Sequence, residues 1–96
     1  MTKITLSGRI DVPPADLAAV LAELPNHVAL TRQEPGCLVF RVEPRFDAPN
    51  VFDVYEEFED EAAFEAHQAR VRTSTWGTVS AGASRQYKIE GLSTSR

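Results

Sequence analysis

Ninety-six residues, 43% of them apolar, fit one compact domain with its own core, taken as a single unit over residues 1–96, and are not the composition of a disordered chain. A formal charge of -4 gives no general attraction for phosphate backbones or anionic lipid, which argues against nucleic acid and membrane surfaces as partners. A single cysteine rules out an internal disulfide and a cysteine zinc cluster, and the start MTKITLSGRIDV has no apolar signal-peptide run, so a soluble cytoplasmic protein is expected.

Residues 3–12 alternate, with Ile4, Leu6, Ile10 and Val12 on one side and Thr5, Ser7, Arg9 and Asp11 on the other, which predicts a half-buried strand. Pro13 and Pro14 stop it. Leu17, Val20, Leu21 and Leu24 then recur with the spacing of an amphipathic helix, which Pro25 is expected to close. A shorter helical piece is predicted from about Asn26 to Glu34, ended by Pro35-Gly36, where Gly36 can take a positive φ.

Alternation returns from Cys37 to Glu43, with Leu38, Phe40 and Val42 on one face. A loop over residues 44–50 leads to a third strand whose inner face reads Phe52, Val54, Glu56 and Phe58. Asp60 is placed to cap the next helix, whose inner stripe is Phe64, His67, Val71 and Ser74, with Glu61, Glu65, Gln68 and Arg72 outward. Thr73, Thr75 and Gly77 weaken that helix near Trp76, and residues 84–91, with Tyr87 and Ile89 alternating against Gln86 and Lys88, predict a last strand. The terminal GLSTSR is expected to fray.

The order strand, helix, strand, strand, helix, strand is the ferredoxin-like βαββαβ pattern of an α+β fold with an antiparallel sheet. Helices cover one face of such a sheet, and on a chain this short a second copy is the natural cover for the other, so a homodimer is expected.

Among the polar residues, Glu56 stands out because its strand face is otherwise apolar. A buried carboxylate there must find a donor in Arg32, a backbone N–H or His67, or hold its proton; it also suits a catalytic or substrate-orienting acid. His67 points inward, as a core histidine or as a pocket base. Arg70 reads as a solvated helix-end cation or a contact for an anionic substrate group, and Ser74 can donate into the same pocket. Trp76 reads as a core plug, a dimer anchor or an aromatic wall, and Phe40, Phe58 and Phe64 as core first and substrate cage second. Cys37 reads as a small buried hydrophobe. Two histidines without ligand spacing give no metal site, and no glycine-rich nucleotide loop occurs, so no cofactor is expected.

The segments T31-R-Q-E-P-G-C37, Phe40, and F52-D-V-Y-E56-E-F58 running on to H67, with the closing R85-Q-Y87, resemble the antibiotic-biosynthesis-monooxygenase (ABM) superfamily of dimeric α/β barrels. The resemblance implies a cofactor-independent monooxygenase acting with O2 on a small aromatic or quinol-like molecule. His67 would be its base, oriented by Glu56, in a water-excluding cage of Phe40, Phe58, Phe64 and Trp76, with Arg70 and Ser74 as further substrate contacts. Two other roles within the resemblance are a non-catalytic small-ligand or stress-response module and a haem-degrading relative. The haem reading is disfavoured because residues 5–9 lack the Asn that such enzymes carry on their first strand.

Overall fold

The computed structural model describes residues 2–92. Its first strand, β1 (Ile4–Asp11), buries Ile4, Leu6 and Ile10 on one face, and Val12 continues that face past the strand end. A single 3-10 turn, Pro14–Asp16, leads into helix α1 (Leu17–Arg32). Then come β2 (Cys37–Pro44), β3 (Val51–Phe58), α2 (Glu61–Arg72), a short helix α3 (Thr75–Val79) and β4 (Ser84–Glu90). The sheet order is β2-β3-β1-β4 with every neighbouring pair antiparallel, the ferredoxin-like arrangement that the element order predicts.

One core joins sheet to helices. Ile4, Leu6, Ile10, Phe52, Val54 and Phe58 face Val20 of α1, Phe64 of α2 and Trp76 of α3 within a single cluster of buried side chains. The opposite face of the sheet is polar and carries no helix. There Lys3 reaches Glu57 at 3.2 Å, the Tyr55 hydroxyl donates to the same carboxylate, and Arg45 pairs with Asp53 at 3.0 Å. Among the described residues no helix is long and apolar enough to cross a membrane.

Several local features refine or differ from the sequence reading. Pro25 does not end a helix; it sits inside α1, which runs unbroken for 16 residues. Proline removes one backbone hydrogen bond and crowds the preceding turn, at a cost of ~3 kcal/mol. That cost is met because both halves of α1 bury one continuous stripe of Val20, His27 and Thr31, flanked by Leu17, Leu24 and Val28. Leu21 falls off this stripe and is 44% exposed.

Leu38 is also out of the core. A register shift between Cys37 and Val39 leaves it as the extra residue of a bulge, exposed, while Phe40 and Val42 beyond it regain the buried face. At the weak stretch near Trp76 the chain starts a second, short helix. Ser74 takes an extended backbone and accepts from the Gly77 N–H at 3.1 Å, capping α3. Finally β4 is an edge strand exposed along its length, and of the GLSTSR terminus, residues 91–96, expected to fray, residues 93–96 lie outside the described residues.

The two turn residues read from sequence behave as expected. Asp60 caps α2 by accepting from the Ala63 N–H at 2.8 Å, and Gly36 turns the chain into β2 with φ +87. A side chain at Gly36 would also meet Ala63, because its Cβ would lie 2.6 Å from the Ala63 Cβ.

Candidate active site

A cavity of about 360 Å³ opens between the helices and the inner face of the sheet. Leu6 of β1 and Glu56 of β3 form its floor, with His27 of α1, His67 and Val71 of α2, and Trp76 of α3 around it. Gln68, Arg72, Ala81, Arg85 and Tyr87 are its exposed members and so form the mouth.

His67 reaches the cavity because α2 holds it one turn after Phe64, and both are buried. Its Nδ1 lies 2.9 Å from Glu34 Oε1, and the other Glu34 oxygen accepts from Arg70 Nε. Arg70 is fixed in turn by donation to Thr31 Oγ1 at 3.0 Å. With Arg70 holding Glu34 as an acceptor, the bond to His67 places the imidazole proton on Nδ1. Nε2 is then left with a free lone pair. This nitrogen points to Glu56, whose Oε1 is 3.9 Å away, too far for a hydrogen bond.

Burial holds the His67 pKa below the usual histidine value despite the opposing pull of Glu34, and Arg70 lowers it further. The imidazole is therefore neutral and available as a base near neutral pH. Glu56 is 6% exposed, and its Oε1 has no hydrogen-bond partner among the described residues. Burial, aided by the negative charge of Glu34, raises its pKa to about 7. A carboxyl poised near neutrality beside an unprotonated imidazole can both give and take a proton.

The second histidine of the chain forms the opposite wall. His27 stacks on Trp76 with ring centroids 4.4 Å apart and planes 2° from parallel, and its Nδ1 has no protein partner. Burial, then the nearby charges of His67, Arg70 and Arg85, lower its pKa to about 3. His27 thus presents a neutral, polar, aromatic surface to the cavity at any physiological pH.

Of the residues singled out from sequence, His67, Glu56 and Trp76 meet in this one cavity. Phe40, Phe58 and Phe64 do not line it. Phe58 packs at 5.0 Å from the His67 ring and 5.8 Å from Phe64, and Phe40 meets His67 edge-on at 5.6 Å. They form the packing behind the base and hold its ring, in place of a cage around a ligand. Ser74 is committed to capping α3 and to donating to the Val71 carbonyl at 2.8 Å. Arg70 is committed to Glu34 and lies outside the cavity. The group that orients His67 through a hydrogen bond is Glu34, not Glu56. Arg72, expected on the solvated side of α2, stands at the mouth.

Cys37 is partly buried, and burial with the nearby Glu34 and Glu56 raises its pKa, the opposite of an activated thiolate. Among the described residues no three His, Cys, Asp or Glu side chains converge as a metal site requires.

The family model of the antibiotic biosynthesis monooxygenases (ABM) matches residues 3–76. The chain belongs to this family. A comparison with curated proteins by sequence found none that matches. Among solved structures, the ABM chain is similar to PA3566 from Pseudomonas aeruginosa, at 29% identity with a TM-score of 0.71, covering 100% of this chain and 97% of the other. It is similar in fold to SnoaB, a cofactor-independent oxygenase from Streptomyces nogalater, at 16% identity and a TM-score of 0.71, covering 99% and 97%. A conserved protein from Methanosarcina mazei gives 17% identity and a TM-score of 0.72, covering 97% and 95%. The matched region contains His27, Glu34, Glu56, His67 and Trp76, and stops before Arg85 and Tyr87 at the mouth.

Proposed function

We propose that this ABM-family protein is a cofactor-independent monooxygenase that oxidises a small phenol or quinol with O2. The observation that carries this reading is the placement of His67, bonded from behind through Nδ1 to Glu34 and with Nε2 facing Glu56 across 3.9 Å inside a cavity sized for one or two rings.

The chemistry balances with these residues alone. His67 Nε2 takes the substrate hydroxyl proton, and the resulting phenolate passes one electron to O2. The substrate radical and superoxide join through a new C–O bond at a ring carbon that bears hydrogen. The imidazolium returns its proton to the outer peroxide oxygen. Glu56 then removes the hydrogen from that carbon as the O–O bond breaks, hydroxide leaves and takes up the proton as water, and the carbon keeps one oxygen atom as a carbonyl. One O2 yields one carbonyl oxygen and one water. The stacked His27 and Trp76 give a flat wall for the ring, and the closed floor keeps water from the radical pair.

The same reading takes the working form as a homodimer in the cytoplasm. Support for the dimer comes from Leu38, Tyr87 and Ile89, large apolar side chains that the single chain leaves exposed on β2 and β4. Light scattering is expected to give twice the chain mass of 10.6 kDa, and a monomer at micromolar concentration refutes this part.

Oxygen uptake with a panel of phenols and hydroquinones tests the activity. Turnover by the native protein, lost in His67→Ala, supports it. Absence of uptake with every member, while the same compounds raise the melting temperature, replaces the enzyme with a ligand-binding module.

A further inference from the structure

The mouth of the cavity carries charge that the reaction above does not use. Where the described arginines make ion pairs, Arg9 pairs with Asp11, Arg45 with Asp53 and Arg70 with Glu34. Arg32 is spent on the Phe40 carbonyl, and Arg41 lies over the Tyr55 ring. Arg72 and Arg85 differ from all of these. Both line the cavity, and among the described residues neither guanidinium has a carboxylate within ion-pair distance.

Arg85 is also held in place. It donates to the Ser80 carbonyl at 3.2 Å, the Ser80 hydroxyl at 2.8 Å and the Ala83 carbonyl at 3.4 Å, and Ser80 itself is 1% exposed. These neutral acceptors fix the side chain without neutralising it. Among the described residues the only acid that lines the cavity is Glu56 on the floor, whose pKa is raised to about 7. Two like charges at one opening repel, and a cleft with apolar walls strengthens both that repulsion and its relief by an anion. A planar guanidinium matches a carboxylate better than any neutral group. The chain as a whole carries a charge of -4, so a local excess of cations here runs against its average. The deeper surface is aromatic and polar: His27 has an unpartnered Nδ1 and is 3% exposed, against the face of Trp76.

We propose that the ligand of this cavity is an aromatic acid, a phenol or quinol whose carboxylate is held by Arg72 and Arg85 at the mouth while its hydroxyl meets His67. The choice of reacting end rests on the function proposed above; the anion site stands on the two arginines.

Calorimetric titration under anaerobic conditions separates binding from turnover. The probes are gentisate and its neutral isostere gentisamide, which share one quinol ring and differ in the acidic group. The native protein is expected to bind gentisate about tenfold or more tightly than gentisamide, the size of a charge-assisted contact. Arg72→Met and Arg85→Met are each expected to shrink that ratio, and added NaCl to weaken gentisate more than gentisamide. If Arg85→Met fails to fold by circular dichroism, Arg72→Met and the salt dependence decide. Equal affinities for the two probes, a ratio unchanged in the folded variants, or binding of neither probe overturns the inference. Oxygen uptake with unsubstituted hydroquinone judges the monooxygenase reading separately, so an active enzyme with no preference for the acid leaves that reading standing and removes this one.

Discussion

Replacing Glu56 with glutamine keeps the shape of the side chain and removes its proton chemistry. The carboxyl is buried with an unpartnered oxygen, and its pKa rises from 4.5 to about 7. A shift of that size corresponds to ~3 kcal/mol between the charged and neutral forms, at 1.36 kcal/mol per unit. Below pH 4.5 the carboxyl is protonated in both the folded and unfolded chain, so glutamine gains nothing. Between 4.5 and about 7 the unfolded chain has released the proton that the fold retains, and stability falls as pH rises. Above about 7 the full penalty of ~3 kcal/mol is present in the native protein and absent in Glu56→Gln. The two histidines titrate in both proteins and cancel in the difference. Urea unfolding followed by circular dichroism, at equal protein concentration because assembly also shifts apparent stability, measures it. With a urea slope of ~1 kcal/mol/M, the variant's midpoint should exceed the native one by ~2–3 M at pH 8 and by less than ~1 M at pH 5. An equal difference at both pH values, or a variant less stable at pH 8, refutes the assignment of Glu56 as a desolvated carboxyl.

Glu34→Gln is expected to lower kcat and to move the acid limb of the kcat–pH profile to lower pH, because the negative charge that raises the His67 pKa is gone. A fall in rate with an unmoved limb makes Glu34 only a packing residue. His27→Phe keeps a ring against Trp76 and removes a group whose pKa is depressed from 6.5 to about 3. The native protein therefore loses stability as pH falls from 6.5 toward 3, by ~2 kcal/mol at pH 5, and the variant should lack that loss in the same urea titrations. An acid-stability curve identical in both proteins contradicts it. Gly36→Ala puts a side chain at φ +87 and 2.6 Å from the Ala63 Cβ, with an expected cost of ~1–3 kcal/mol seen as a lower melting temperature. An unchanged melting temperature would mean that the turn before β2 has room to relax.

The sheet was legible because alternation is a local signal that the tertiary structure did not overrule: Ile4, Leu6 and Ile10, and Phe52, Val54, Glu56 and Phe58, are buried as their spacing predicts. So were the Asp60 cap and the inward turn of His67. The far side of the cavity was not legible, and one residue accounts for that. Taking Pro25 as a stop cut α1 in two, which hid that His27 stands three residues after Leu24 and seven after Val20, on the same stripe. The sequence offers Glu34 only as the end of the helical piece before Pro35-Gly36, although its side chain reaches toward α2. No local pattern could reveal this contact, since the partners His67 and Arg70 lie 33 and 36 residues away. The aromatic cage failed for a related reason. Inward direction places Phe40, Phe58 and Phe64 under the helices, but whether such a residue meets a void or another ring is decided by packing.

The unbroken α1 explains more than the position of one histidine. Together with α3 it covers the floor on which Glu56 sits, and this cover desolvates Glu56 and His67. Burial moves the two groups in opposite directions, raising the acid to about 7 and lowering the base, so that near neutral pH the imidazole is free to accept a proton while the carboxyl can hold one. A domain of 96 residues has ~5–15 kcal/mol of total stability, and ~3 kcal/mol held in one unpartnered carboxyl is a large share of it. Leucine or glutamine at this position would relieve the cost without altering the strand pattern. A penalty that one substitution could remove, placed 3.9 Å from a fixed imidazole in a cavity, is what the proposed proton-transferring site requires and what a plain core does not.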